Sequence, residues 1–227
     1  DPVGVANQHV GTIAGRTREP DVVRVICPPS GCLAAVRDAL KDEPGVVISE
    51  TTMFACSDGT QHDMINDINV FRAPGAIEAV KDSDCGLCIM HMQGTPQDMQ
   101  AQPVYNDVVR EVTDFLRERV EALLAAGIER ERICLDPGLG FGKTVEHNYA
   151  LLRASSQIEA ELGLPILIGL SRKSMIGAVT GRPVEERLPG SIAGALAAVA
   201  HGAKIVRVHD VAETVDALKV WRAATLG

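Results

Sequence analysis

The residues with the clearest chemical signature lie in one stretch, 132–143, with the sequence Arg-Ile-Cys-Leu-Asp-Pro-Gly-Leu-Gly-Phe-Gly-Lys. A short apolar run followed by proline and glycines is typical of a buried strand that ends in a tight turn. Asp136 therefore stands where a strand leaves the protein interior, and the glycines after it allow a ligand to approach the backbone closely. The stretch alone leaves two roles open for Asp136, the cap of a following helix or a ligand-binding carboxylate.

Four further apolar runs also end in side chains that bind ligands or titrate. Ligands of parallel α/β sheets bind outside the carboxyl ends of the strands, so these endings are expected to meet in one site. The runs end at Asn66–Asp67, at His91, at Ser171–Arg172–Lys173 and at Arg207–Val208–His209–Asp210. This recurrence favours a ligand role for Asp136.

Three of these side chains suit a flat nitrogen heterocycle. Asp136 offers two acceptor oxygens, and an amino group beside a ring N–H forms paired hydrogen bonds with a carboxylate. Asn66 both donates and accepts hydrogen bonds, and the cation of Lys173 can bind a ring carbonyl or nitrogen.

Other side chains suit anions. Ser174 is predicted to begin a helix, so its backbone N–H and hydroxyl can bind a carboxylate or a phosphate. Arg207 and His209 alternate along the last predicted strand and share a face, where they can hold a pyrophosphate leaving group. Taken alone, residues 207–210 favour a solvated strand end with a helix cap at Asp210; together with the other strand ends they favour a binding site.

The composition predicts one α/β domain over residues 1–227. The chain has 227 residues, 46% of them hydrophobic, and a net charge of −8 with acidic and basic residues mixed, which argues against nucleic-acid and anionic-membrane partners. No apolar run reaches membrane-spanning length and no signal-peptide pattern opens the sequence.

Six cysteines are too few for a disulfide scaffold, and Cys88 and Cys134 fall in predicted buried strands, so we expect reduced thiols and a cytoplasmic location. The spacing of Cys85 and Cys88 lacks a second metal-binding pair, so no metal role is expected there.

Alternating strands and helices must position these residues. The pattern predicts strands at 3–7, 11–15, 46–52, 63–68, 86–91, 132–136, 165–170 and 204–209. It predicts helices at 33–40, after Pro74, and at 105–126, 145–162, after Ser174, 190–201 and 211–223. Such alternation specifies a parallel sheet, and the strand count favours a (β/α)8 TIM barrel with its ligand site at the C-terminal strand ends. A doubly wound open sheet is the runner-up, although no dinucleotide fingerprint or phosphate loop follows the first strand.

Five motifs resemble those of the dihydropteroate synthase family, in order and at compatible spacing, from about residue 62 to the C-terminus. They are Met64-Ile-Asn-Asp-Ile68, Met90-His-Met-Gln-Gly-Thr-Pro96, Leu135-Asp-Pro-Gly-Leu-Gly-Phe-Gly-Lys143, Gly169-Leu-Ser-Arg-Lys-Ser-Met-Ile-Gly177 and Arg207-Val-His-Asp210. The resemblance implies a barrel enzyme, usually a homodimer, that acts in folate biosynthesis. It is a transferase that joins dihydropterin pyrophosphate to p-aminobenzoate and releases pyrophosphate with the help of Mg2+. Sulfonamides compete for the p-aminobenzoate position.

The resemblance also implies roles for individual residues. The pterin-binding set is Asn66, Asp136, Lys173, Met90, Gly169 and Phe141, with Lys173, Asp136, Arg207 and His209 as the catalytic set. The p-aminobenzoate set is Ser174, Phe141, Thr17 and Arg18, and the pyrophosphate set is Arg207, His209 and Asn7, with Asn7 also nominated for Mg2+.

The first quarter of the sequence departs from the family pattern. A first helix and mobile loops are missing from it, and the third strand contains Glu50 where the family has an aspartate, one position out of phase. A one-residue slip reverses the facing of a side chain in a strand. The expectation is therefore a barrel with an incomplete or altered N-terminal βα portion. A catalytically impaired pterin-binding paralogue is the alternative function, and a pterin-dependent methyltransferase is disfavoured because it needs no pyrophosphate-binding residues.

Overall fold

The computed structural model describes residues 23–25, 48–55, 61–67, 69–83, 85–94, 99 and 103–225. The strands predicted at 3–7 and 11–15, the helix predicted at 33–40, and the site candidates Asn7, Thr17 and Arg18 lie outside these residues.

The described residues contain seven strands and seven α-helices. The strands are β1 (Val23–Val25), β2 (Ile48–Ala55), β3 (Gln61–Asp67), β4 (Gly86–Met90), β5 (Ile133–Asp136), β6 (Leu167–Ile168) and β7 (Ile205–Arg207). The helices are α1 (Ala76–Lys81), α2 (Val108–Ala125), α3 (Val145–Arg153), α4 (Ser155–Leu162), α5 (Ser174–Thr180), α6 (Leu188–Ala200) and α7 (Val211–Thr225). No helix among them is long and apolar enough to cross a membrane.

The strands form the wall of a TIM barrel, as predicted. β3, β4 and β5 are parallel neighbours, a parallel bridge joins Leu135 to Ile166 just before β6, and β6, β7 and β1 continue the parallel series. β1 and β2 contact each other and bring the two ends of the series together. Because helices follow the parallel strands, the sheet is covered on its outer face and encloses a packed interior.

The N-terminal part of the barrel differs from the sequence prediction. β2 runs antiparallel to β3, with an irregularity between Ile48 and Glu50 that brings Glu50 into register with Asn66. The expectation of a parallel strand at this position is therefore wrong, since only a few residues separate β2 from β3 and a parallel pair requires a longer crossover. β1 was not predicted, although residues 22–26, of which four are β-branched, are typical of a strand.

The predicted helix 145–162 is two helices that meet at Ala154. The Ser155 hydroxyl donates to the carbonyls of Leu151 and Leu152, at 3.2 and 2.9 Å. Serine side chains that bind carbonyls of the preceding turn bend helices, which accounts for the break.

Alternation along the strands divides the core into two layers. The layer between strands and helices is large and includes Ile65, Leu87, Ile89, Leu135 and Ile168. The barrel interior holds a smaller cluster with one residue from each of five strands: Met64, Cys88, Cys134, Leu167 and Ile205. Two positions further along each strand, the residue again faces the interior. These positions lie at or just past the strand ends and are Asn66, Met90, Asp136, Gly169 and Arg207.

Candidate active site

The mouth of the barrel is formed by the inward-facing residues that lie above the interior cluster, most of them polar. Asn66, Met90 and Asp136 are each 1% exposed, and Met90 pairs in register with Asp136 across neighbouring strands. The side chains predicted to bind a heterocycle therefore share one face of the sheet, because the strand alternation that buries Met64 and Cys134 also turns Asn66 and Asp136 inward.

The turn after β5 fixes one oxygen of Asp136. The Gly138 N–H donates to Oδ1 at 2.7 Å. Gly138 has a φ of +70°, and a Cβ at this residue would lie 1.8 Å from the His91 carbonyl oxygen. Only glycine fits here, because the turn requires both a left-handed backbone and this close approach.

The other oxygen of Asp136 faces a cation. Oδ2 is buried, accepts no hydrogen bond from any described residue, and lies 3.6 Å from Nη2 of Arg207. A buried carboxylate oxygen without a hydrogen-bond donor is unfavourable, so this atom is a strong acceptor for a ligand N–H.

The absence of a side chain at Gly169 leaves space for the Arg207 guanidinium. A Cβ at residue 169 would lie 3.0 Å from both Nε and Nη2 of Arg207, so the guanidinium rests against the glycine backbone. An alanine at this position would push the guanidinium away by a few tenths of an ångström.

Lys173 reaches from the N-terminal end of α5 across to the turn after β5. Its ammonium donates to the Leu139 carbonyl and lies 4.7 Å from the centre of the Phe141 ring. Phe141 is partly exposed. The structure thus places a cation over an aromatic face at the barrel mouth, where the ammonium can attract a ring carbonyl or nitrogen of a ligand.

Lys143 and His91 form a buried pair that the sequence did not predict. The Lys143 amine lies 2.9 Å from His91 Nδ1 and donates to the Phe141 carbonyl at 3.0 Å. Burial and the Lys173 charge lower the pKa of Lys143 to about 7, against an opposing effect of Asp136. Burial and the Lys143 charge lower the pKa of His91 to about 3. The sequence predicts His91 as a polar residue at a strand end. Its partner Lys143 is the residue that closes the glycine-rich turn after β5.

The other side of the mouth is formed by the turn after β6 and the end of β7. The Ser171 hydroxyl lies 3.0 Å from His209 Nδ1, and Arg172 binds Asp210 with two hydrogen bonds. Asp210 therefore pairs with an arginine in addition to preceding α7. Ser174 is exposed and is the first residue of α5, as predicted.

The described residues contain no group of three or more His, Cys, Asp or Glu side chains that could hold a metal ion. Asn7, the residue nominated for Mg2+, is outside them, so Mg2+ binding stays a prediction and enters none of the steps below.

These features define the class of the protein. The chain belongs to the family of pterin binding enzymes, whose model matches residues 48–209. The relatives that it resembles are dihydropteroate synthases. The dihydropteroate synthase of Haemophilus influenzae is 53% identical over 161 residues, which cover 71% of this chain and 58% of that protein.

Solved structures agree with this assignment. The Yersinia pestis dihydropteroate synthase in complex with a sulfonamide drug superposes with a TM-score of 0.68 at 43% identity, over 74% of this chain and 61% of that one. The Xanthomonas albilineans dihydropteroate synthase in complex with 7,8-dihydropteroate superposes with a TM-score of 0.66 at 47% identity, over 72% of this chain and 60% of that one. The chain thus spans less than two thirds of the length of these relatives.

Proposed function

We propose that this chain acts as a dihydropteroate synthase, a transferase that condenses dihydropterin pyrophosphate with p-aminobenzoate to give dihydropteroate and pyrophosphate. The observation that carries the proposal is the buried Asp136 carboxylate, with Oδ2 left without a hydrogen-bond donor among the described residues and Arg207 3.6 Å away. The Xanthomonas relative with bound dihydropteroate and the Yersinia relative with a bound sulfonamide support the ligand classes.

In this proposal the pterin ring lies across the barrel mouth. Its amino group and ring N–H donate to Asp136, and Asn66 binds the same edge of the ring. Lys173 binds the carbonyl side, while Met90 and Gly169 line the slot. The fixed Oδ1–Gly138 hydrogen bond supports this role because it presents Oδ2 in a single orientation.

The chemical step breaks the bond between the pterin methylene carbon and the pyrophosphate oxygen. The electron pair leaves with pyrophosphate, Arg207 and His209 stabilise the growing negative charge, and the amine nitrogen of p-aminobenzoate forms the new bond and then loses a proton. A weak neutral nucleophile needs correct placement above all, which Phe141 and Ser174 provide at the ring and the carboxylate. The step uses no nucleophile from the protein.

Calorimetry with dihydropterin pyrophosphate, followed by a pyrophosphate-release assay with p-aminobenzoate, tests the proposal. Binding followed by release supports it. Binding without release would instead favour the non-catalytic pterin-binding alternative. The antiparallel β2, which departs from the parallel strand expected at this position, is the structural observation that favours this alternative. A chain that binds no pterin contradicts both.

We further propose that sulfonamides compete with p-aminobenzoate and that the chain is a cytoplasmic homodimer, as the family resemblance implies. Sulfonamide inhibition that p-aminobenzoate relieves would support the first point, and sedimentation at the mass of two chains would support the second.

A further inference from the structure

Two consecutive residues after β6 bind two consecutive residues after β7. The Ser171 oxygen contacts His209, and the Arg172 guanidinium binds the Asp210 carboxylate with hydrogen bonds of 3.1 and 2.5 Å. His209 lies two positions beyond Arg207, and the Ser171 contact fixes the position of its imidazole.

The hydrogen bonds of Ser171 determine where the proton of His209 lies. Ser171 is 5% exposed, and its oxygen accepts a hydrogen bond from the His209 backbone N–H at 3.3 Å. Among the described residues, the one acceptor in reach of the Ser171 hydroxyl proton is His209 Nδ1, at 3.0 Å. If Nδ1 carried a proton instead, the buried hydroxyl would be left with no acceptor, which is unfavourable. The neutral imidazole therefore carries its proton on Nε2.

We propose that Ser171 is a positioning residue that holds His209 in the tautomer with an Nε2–H, so that the exposed side of the ring donates a hydrogen bond to the leaving pyrophosphate. This inference rests on the function proposed above. A histidine fixed in the opposite tautomer would turn an acceptor toward an anion and would repel it.

The backbone of Arg172 holds Ser171 in place. Arg172 has a φ of +60°, a backbone conformation that residues other than glycine rarely adopt. Its N–H donates to the Ser191 hydroxyl at 2.9 Å, and its carbonyl accepts from Arg187 at 2.9 Å. α6 and the residue before it thus hold a strained turn whose side chains reach the end of β7, as is typical of turns that position functional groups.

The test compares two ligands that differ only in the anion, dihydropterin pyrophosphate and the dihydropterin alcohol. We expect Ser171→Ala to weaken binding of the first about tenfold, as loss of a hydrogen bond that orients a charged contact does, and to leave the second unchanged. Ser171→Thr, which keeps the hydroxyl, should restore the affinity. Ser155→Ala is the matched control, because it removes a buried hydroxyl that binds carbonyls far from the site.

Nitrogen NMR of the unmodified, isotope-labelled chain gives a second readout that does not depend on any variant being folded. The chain has six histidines, so the His209 signal is assigned by its loss in His209→Gln. In the neutral imidazole, we expect the proton on Nε2. A proton on Nδ1, or equal loss of both ligands in Ser171→Ala, overturns the inference. If the unmodified chain binds neither ligand, the proposed function fails, while the NMR signal still decides the tautomer.

Discussion

Arg207 lies 3.6 Å from Asp136 at the barrel mouth, and the two side chains are 14% and 2% exposed. The separation is longer than a hydrogen bond, so the ion pair leaves the hydrogen-bonding capacity of Oδ2 in place. The guanidinium keeps the buried carboxylate compensated in charge, and a ligand N–H can still approach that oxygen. This combination supports the proposed role of the carboxylate in pterin binding.

Asp136→Asn should weaken pterin binding by about 2–4 kcal/mol, because the amide keeps an oxygen for Gly138 and turns an N–H toward both the ligand N–H and Arg207. Calorimetry with dihydropterin pyrophosphate measures the change. Asp216→Asn is the control, since Asp216 is 78% exposed and pairs with Lys219 at 3.4 Å on the surface. Equal affinity in the Asp136 variant and the control would contradict the assignment.

Lys173→Ala should reduce pterin affinity by about 1.5–3 kcal/mol, as expected for loss of a charged hydrogen bond, with little change in melting temperature. The ammonium contacts the Leu139 carbonyl and the Phe141 ring, and both lie on the turn that faces the ligand. Lys204→Ala, which removes a surface ion pair with Glu159, should change neither property by much. A collapse of the melting temperature in Lys173→Ala would mark the lysine as structural.

Strand alternation made the common facing of the main proposed site residues predictable. Asn66, Asp136 and Arg207 lie at strand ends, each two positions after a residue whose side chain faces the barrel interior. Their common facing therefore follows from strand alternation, without knowledge of tertiary contacts. Each of the motifs carries its own strand and its own turn, and for that reason the barrel could be inferred from local patterns.

The pairs across the site could not be predicted in this way. Lys143 and His91 are 52 residues apart, and Ser171 and His209 are 38 apart, so their meeting depends on the order of strands in the closed sheet. The antiparallel direction of β2 is a different case: the hydrophobic pattern does not encode the direction of a strand, but the short connection between β2 and β3 does.

Gly138→Ala should lower the free energy of unfolding by more than about 3 kcal/mol, since the added Cβ meets a backbone oxygen that cannot rotate away. Gly181→Ala is the matched control. Gly181 has nearly the same φ, +69°, and nothing within 4 Å of the added Cβ, so its cost should be the backbone strain of about 1–2 kcal/mol alone. Urea unfolding of both variants measures the difference. Equal costs would show that the contact with His91 relaxes.

The buried pair of Lys143 and His91 should make stability depend on pH in two separate ranges. The pKa of His91 falls from 6.5 to about 3 in the folded chain, so the unfolded chain binds the extra proton between these values and stability is lost as the pH falls from 6.5 towards 3. The pKa of Lys143 falls from 10.5 to about 7, so stability should rise between pH 7 and 10.5. Each residue can contribute at most about 1.4 kcal/mol per pH unit.

His91→Asn keeps an acceptor for Lys143 and removes the titration of the imidazole, so it should flatten the acidic range only. Lys143→Met keeps the length of the side chain and should abolish the alkaline dependence. It should also weaken the acidic dependence in part, because the Lys143 charge helps to lower the pKa of His91. Urea midpoints measured across both ranges decide the outcome. If His91→Asn leaves the acidic range unchanged, or Lys143→Met leaves the alkaline range unchanged, the lysine and the histidine are not buried as a pair in solution, and the turn that fixes Asp136 is held by Gly138 and its neighbours instead.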